Sequence, residues 1–178
     1  MKLFSENIED LRSLYIADLR KALDMEQKIT KALPTMIEKS TDPQLASAFR
    51  NHLTETQGHV AKVESILRDA TNNGNADTST CKAISALVTE AEDNIKDAAD
   101  TSIRDITLIA SAQQVEHHEI AVYGTLRTWA ELLGDDDAAD LLDSILDEEK
   151  NADELLSTIS DSVNTTAAET KTAHTTAV

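Results

Sequence analysis

Seven side chains carry the chemistry this sequence could perform: Glu26, Glu55, His59, Glu116, Glu119, Glu149 and Asp153. The densest stretch is Val115-Glu116-His117-His118-Glu119-Ile120-Ala121-Val122-Tyr123. Around it, Leu108, Ala112, Val115, Tyr123, Leu126, Ala130 and Leu133 fall on one side of a helix at roughly 100° per residue. Glu119 lies near the middle of that apolar face and Glu116 lies within it, whereas His117 and His118 point elsewhere. An ionised carboxylate on a buried face is costly unless a partner compensates it. The same reasoning puts Glu26 between Ala22 and Ile29, Glu55 and His59 on or beside a second face, Glu149 in a fourth face and Asp153 at its edge. Residues four apart on a helix project side by side, so Glu55 with His59, and Glu149 with Asp153, can each serve one site. Carboxylates and imidazole together are ligands for divalent cations. The competing reading is that these acids are edge residues, or pair with Lys and Arg.

The elements that must position them are helices. A first helix is expected from an N-cap at Ser5, with the stripe Leu11, Tyr15, Ala22, Ile29, Leu33 and Ile37, and with Pro34 kinking or ending it. Asp18 interrupts that stripe as a solvated edge residue. Thr41-Asp42-Pro43 starts a second helix, which carries Leu45, Phe49, Leu53, Thr56, Val60, Val63 and Leu67. Gly58 either admits a close neighbour or is simply tolerated there. A loop over Thr71–Asp77 leads to a shorter helix from Cys81 to Ile95, expected to pack outside the main bundle. The third long helix spans about Ser102 to Leu133 and ends at Gly134-Asp135-Asp136-Asp137. The fourth carries Leu141, Leu142, Ile145, Ala152, Leu156, Ile159 and Val163. The bundle is expected to occupy residues 1–163, with 164–178 a polar, stripe-free, disordered tail that includes His174. Short turns within each pair and a long crossover between pairs give an all-α fold: a ferritin-like four-helix bundle whose crossover carries a short extra helix.

Composition agrees and excludes other classes. Gly, Pro and aromatic residues are scarce, and Cys81 is the single cysteine, so there is no intrachain disulfide and no Cys-rich zinc site. The formal net charge is -17, which repels nucleic acid and anionic lipid. Asp outnumbers Glu and Lys is modest, which suits solubility in high salt and a halophilic source; an ordinary acidic protein would share the trait. No signal peptide is read at the polar start and no apolar run is long enough to span a membrane, so a cytoplasmic protein is expected.

Several stretches resemble the YciE/YciF group of ferritin-like stress proteins. They include Ala22-Leu23-Asp24-Met25-Glu26-Gln27-Lys28, His52-Leu53-Thr54-Glu55-Thr56-Gln57-Gly58, Cys81-Lys82-Ala83-Ile84 and Arg104-Asp105. The Val115–Ala121 stretch, Tyr123-Gly124-Thr125-Leu126-Arg127 and Asp147-Glu148-Glu149-Lys150 with Asp153 continue the resemblance, which covers about residues 5 to 160. It implies a dinuclear metal centre, a dimeric habit and a link to stress. Glu26, Glu55, Glu116, Glu119, Glu149 and Asp153 fall on the group's acidic positions. Position 59 departs from the group's usual Gln, and His59 either ligates directly or sits behind the ligands as Gln would. His52, about a turn from Glu55, is expected behind the ligands, orienting a carboxylate. His117 and His118 are read as surface or interhelix residues, and Cys81 as packing.

The function expected is binding of two divalent metal ions, iron first with manganese or zinc as alternatives, and reaction with O2 or peroxide as a peroxidase- or ferroxidase-like oxidoreductase. A homodimer without nucleic-acid or membrane partners is expected. Tyr15 and Tyr123 are inner-face neighbours of the site or plain core residues. The reading from another class is a helical stress or scaffold protein with a metal-free polar core, working by dimerisation or partner binding.

Overall fold

A computed structural model describes residues 8–71 and 74–175, with the side chains of 166, 167 and 169–175 left aside. Five helices follow in order: α1 Leu11–Lys39, α2 Pro43–Ala70, α3 Lys82–Asp97, α4 Thr101–Leu132 and α5 Asp136–Thr175. The four long ones form a bundle in which α1 pairs with α2, α4 with α5, and the pairs meet through α2 against α5 and α1 against α4. Helix α3 lies in the crossover between the pairs and packs on α4 and α1.

Local chemistry sets the helix ends. The Ser5 cap lies outside the described residues. Asp10 caps α1 instead, its side chain accepting from the Ser13 N–H at 2.8 Å while Ser13 Oγ accepts from the Asp10 N–H at 3.0 Å. Pro34 neither ends nor halts this helix, which runs on to Lys39. Pro34 is on the exposed side, so its lost backbone bond faces solvent and not the core. Asp42 caps α2, with Pro43 at the first helical position. Helix α4 closes on Gly134 at φ 75°, where Asp135 N–H donates to Ala130 O and Gly134 N–H to Glu131 O. A Cβ added at Gly58 would meet nothing within 4 Å, so that glycine is tolerated and admits no close neighbour.

Helix α5 departs from the expected end of the bundle. It continues from Asn164 to Thr175, although its last buried apolar residue among the described side chains is Val163. Propagation past a packed segment needs no new nucleus, so the lack of an apolar stripe in the sequence there does not stop the helix.

Long-range polar contacts fix the pairs to each other. Buried Asp105 on α4 accepts from the backbone N–H of Thr41 and of Asp42, each at 2.9 Å, and Arg104 Nε donates to Lys39 O at 3.0 Å. The α1–α2 turn is thus held by α4. Asp24 on α1 accepts from Cys81 N–H at 2.7 Å, and Lys28 Nζ donates to Ser85 Oγ at 2.7 Å, pinning the start of α3. The apolar core runs the length of the bundle, through Leu19, Leu23, Leu45, Val63, Leu67, Leu108, Leu126, Leu142 and Ile145. It is interrupted at mid-height by a polar cluster.

Candidate metal centre

Each long helix sends at least one acid or imidazole into that interruption. Helix α1 contributes Glu26, α2 His52 and His59 two turns apart, α4 Glu116 and Glu119, and α5 Glu149. All six are buried, and Glu26, His59, Glu119 and Glu149 are fully so. They form two overlapping groups. His52, Glu116, Glu119 and Glu149 bring one ligand atom each within 4.8 Å of one another, and Glu26, His59 and Glu149 do the same. Glu149 is common to both.

His52 Nε2 lies 3.3 Å from Glu116 Oε1, and its Nδ1 lies 4.0 Å from Glu149 Oε2. His59 Nδ1 lies 3.0 Å from Glu149 Oε1 and 3.6 Å from Glu26 Oε2. The Tyr123 hydroxyl, on α4, donates a short hydrogen bond to Glu26 Oε1 and turns the other oxygen toward His59. On the far side of His59, Nε2 pairs with Glu148 Oε2 at 2.6 Å, and Lys62 Nζ holds Glu148 at 3.1 Å. When the ring is neutral, donation from Nε2 to Glu148 leaves Nδ1 as the lone-pair nitrogen facing Glu26 and Glu149.

The electrostatics are strained in one direction. Burial, reinforced by the charges of Glu149 and Glu26, lifts the Glu119 carboxyl well above its usual range; burial also lifts Glu116, with Glu149 adding to it. Burial alone lowers the two histidines. The nearby Glu55, Glu116 and Glu149 outweigh it and raise His52 to about 9, and Glu149 with Glu26 raises His59 to about 10. Burial and the Glu26 charge push the Tyr123 hydroxyl above its ordinary value, so it stays a donor.

Nine buried nitrogen and oxygen atoms of the six side chains have no hydrogen-bond partner: Glu26 Oε2, both ring nitrogens of His52, His59 Nδ1, Glu116 Oε2, and both oxygens of Glu119 and of Glu149. Native interiors leave only a few such atoms per hundred residues, and here they gather in one place. Four carboxylates and two imidazoles form a mixed oxygen–nitrogen donor set suited to iron, manganese or zinc. Two divalent cations would balance the charge of these four carboxylates in their ionised form.

Two expected ligands stand outside this cluster, and one residue expected behind it stands inside. The Glu55 side chain is 45% exposed, with Oε2 3.8 Å from His52 Nδ1. On α2 it is turned roughly 60° from His52 and 40° from His59, off the inward arc. His52 holds its carboxyl below the usual range. Asp153 is 20% exposed, one turn beyond Glu149, and is taken up by α4: His117 Nε2 lies 3.4 Å away and Gln113 Nε2 donates to it at 3.4 Å. His52 itself faces the cluster directly. Glu148 escaped the sequence reading because it lies beside the stripe, not on it; its only signal was adjacency to Glu149. His117 is 69% exposed, and His118 Nε2 lies 3.8 Å from Cys81 Sγ between α4 and the start of α3. Tyr15 is buried in the core.

Two cavities reach the cluster, and both touch His52 and Glu116. One, of about 150 Å³, opens between α2 and α5 and is lined by Asn51, Glu55, Glu148 and Asn151. The other, of about 330 Å³, lies between α1, α3 and α4 with mostly apolar walls.

Fold and cluster together define a ferritin-like helical bundle with a carboxylate–imidazole core. The chain belongs to the family described as Domain of unknown function (DUF892), whose model matches residues 10–169. It is 36% identical over 147 residues to Protein YciF of Escherichia coli strain K12, covering 83% of this chain and 88% of that protein. The crystal structure of the E. coli stress protein YciF superposes with a TM-score of 0.84 at 34% identity, over 89% of this chain and 99% of that one. YcfI of Rhodopseudomonas palustris, provisionally described as a structural protein, gives 0.83 at 39% identity over 88% and 98%. The resemblance read from the sequence is borne out. No helix among the described residues is long and apolar enough to cross a membrane.

Proposed function

We propose that this protein binds two divalent metal ions in the bundle core, iron first and manganese or zinc as alternatives, and acts on O2 or peroxide in a stress response. The observation that carries the reading is the set of nine buried, partnerless donor atoms from six side chains on four helices. Glu149 faces both imidazoles and is the carboxylate placed to serve both ions; Glu116 and Glu119 attend the His52 side, and Glu26 the His59 side. Bound ions would supply Lewis acidity, and iron or manganese would also supply one-electron redox steps toward an oxygen-bearing oxidant. The chain's own contribution is orientation. Tyr123 fixes Glu26, and Glu148 with Lys62 fixes the His59 ring. Glu55 and Glu148 line the opening between α2 and α5, where they favour cation entry. With Cys81 as the single cysteine, reducing equivalents come from another molecule. The link to stress rests on the likeness to YciF, and the dimeric habit on the same likeness, checked by sedimentation.

The deciding experiment is metal analysis of the purified protein and of Glu119→Ala, with an optical spectrum after ferrous iron and air. About two ions per chain, falling to about one in the folded variant, supports the proposal. Absence of stoichiometric iron, manganese or zinc, with stability indifferent to chelator, sinks it.

The raised pKa values of His52 and His59 favour a second reading. Two imidazolium groups would offset two of the four carboxylates, and protonated Glu116 and Glu119 the rest, leaving a metal-free polar core in a scaffold protein. The same metal analysis separates the two readings.

A further inference from the structure

The two cavities approach His52 and Glu116 with different chemistries. The opening between α2 and α5 is mixed, with Asn51, Glu55, Glu148 and Asn151 set among Phe49, Leu155 and Leu156, and its carboxylates suit cations. The larger cavity has apolar walls: Ile29, Leu33 and Met36 from α1, Val88 and Ile95 from α3, and Val115 from α4. Its inner end is polar, at His52, Glu116 and Ser111. Lys28, Lys31 and Glu92 stand at its margin.

Helix α3 roofs part of this space without filling it, and the rest opens to solvent beside Lys31, Thr35 and Glu92. Only Ile84 of α3 is buried; Leu87, Val88 and Ile95 are half-buried against the core. The start of α3 is tied to α1 through Asp24 and Lys28, so its apolar side is held over the cavity. A volume of about 330 Å³ lies at the lower end of the range of small-molecule sites. At about 30 Å³ per water-sized unit it has room for on the order of ten carbon-sized groups. Water is a poor occupant of apolar walls, because each molecule needs several polar partners. At the inner end, by contrast, both ring nitrogens of His52 and Glu116 Oε2 have no hydrogen-bond partner.

We propose that the cavity between α1, α3 and α4 binds an unbranched alkyl molecule ending in an oxygen function, with the chain along the apolar walls and the oxygen at His52 and Glu116. The inference deepens the proposed function by naming the substrate class of the same site, and it rests on that reading for what the oxygen end meets.

The test is calorimetric titration of the full-length protein, metal-loaded and chelator-treated, with 1-alkanols from butanol to dodecanol. Affinity is expected to rise about fourfold per added methylene and to level off near ten carbons. Ala32→Phe and Ala91→Phe fill the cavity from opposite walls and are expected to weaken binding at least about tenfold, with metal content unchanged. In cobalt-loaded protein, octanol is expected to shift the visible cobalt bands, because its oxygen reaches His52 and Glu116. Absence of saturable binding overturns the proposal. So does affinity that climbs through dodecanol and ignores both substitutions, which marks partition onto the surface. Saturable alkanol binding by a protein that takes up no metal supports the cavity and defeats the metal reading, so the two fail separately.

Discussion

Glu149 Oε1 lies 3.0 Å from His59 Nδ1, yet this fully buried carboxylate oxygen has no hydrogen-bond partner. The pair is set at bonding distance but not aligned for bonding, and the other oxygen of Glu149 faces His52 at 4.0 Å. One side chain from α5 thus joins the two halves of the cluster.

That junction predicts an asymmetry between substitutions. Glu149→Ala removes a donor from both groups and is expected to reduce bound metal from about two ions per chain to near zero. Glu26→Ala touches only the His59 group and is expected to leave about one. Elemental analysis of dialysed protein, with circular dichroism to verify folding, reads the difference. Equal loss in both variants would remove Glu149 from its joining role.

Glu148 is expected to matter without touching the ions. Through Nε2 it fixes which nitrogen of His59 faces inward. Glu148→Ala is predicted to weaken metal affinity about 10–100-fold, the usual effect of losing a carboxylate behind a ligating histidine. Glu55→Ala, which alters the opening between α2 and α5, is predicted to slow metal uptake at nearly unchanged equilibrium affinity. Stopped-flow loading and competition with a chelator measure the two quantities.

The metal-free protein is predicted to lose stability as pH rises. His52 and His59 have folded pKa values of about 9 and 10, above the ordinary 6.5. Their contribution is full below 6.5 and is lost as pH climbs through 9 and 10. Glu116 and Glu119 are also raised, so their contribution is full below 4.5 and declines above it. In all four the folded state holds the proton more tightly than the unfolded state, so unfolding free energy falls with pH. Metal binding requires deprotonated ligands, so the stabilisation conferred by metal grows over the same interval. Denaturant titrations at about pH 5, 7 and 9, with and without metal, check both slopes. A flat metal-free profile would contradict the burial of charge at this centre.

Gly58 offers a control remote from the chemistry. It is exposed and helical, and an added Cβ meets nothing within 4 Å. Gly58→Ala is predicted to stabilise the protein by about 1 kcal/mol, raising Tm by about 2–4 °C, with metal content unaltered.

The sequence by itself determined the helices, their pairing and most of the inward acids. Asp42-Pro43, Gly134 and the apolar stripes are local signals, and Glu26, Glu116, Glu119 and Glu149 sit centrally enough on those stripes that periodicity alone turns them inward. The tertiary structure decided what periodicity leaves open. Glu55 lies about 60° from His52 on α2, and only the seating of α2 against α5 shows that the imidazole faces the cluster and the carboxylate its mouth. Asp153 lies on an inward edge by angle, but the height of α4 beside it brings His117 and Gln113 into reach. Glu148 reaches His59 from a flank that no stripe marks. The cavity under α3 depends on how far a crossover helix stands from two others. Helical phase is a property of one chain segment, whereas relative rotation, height and separation belong to pairs of helices and are fixed only when they pack.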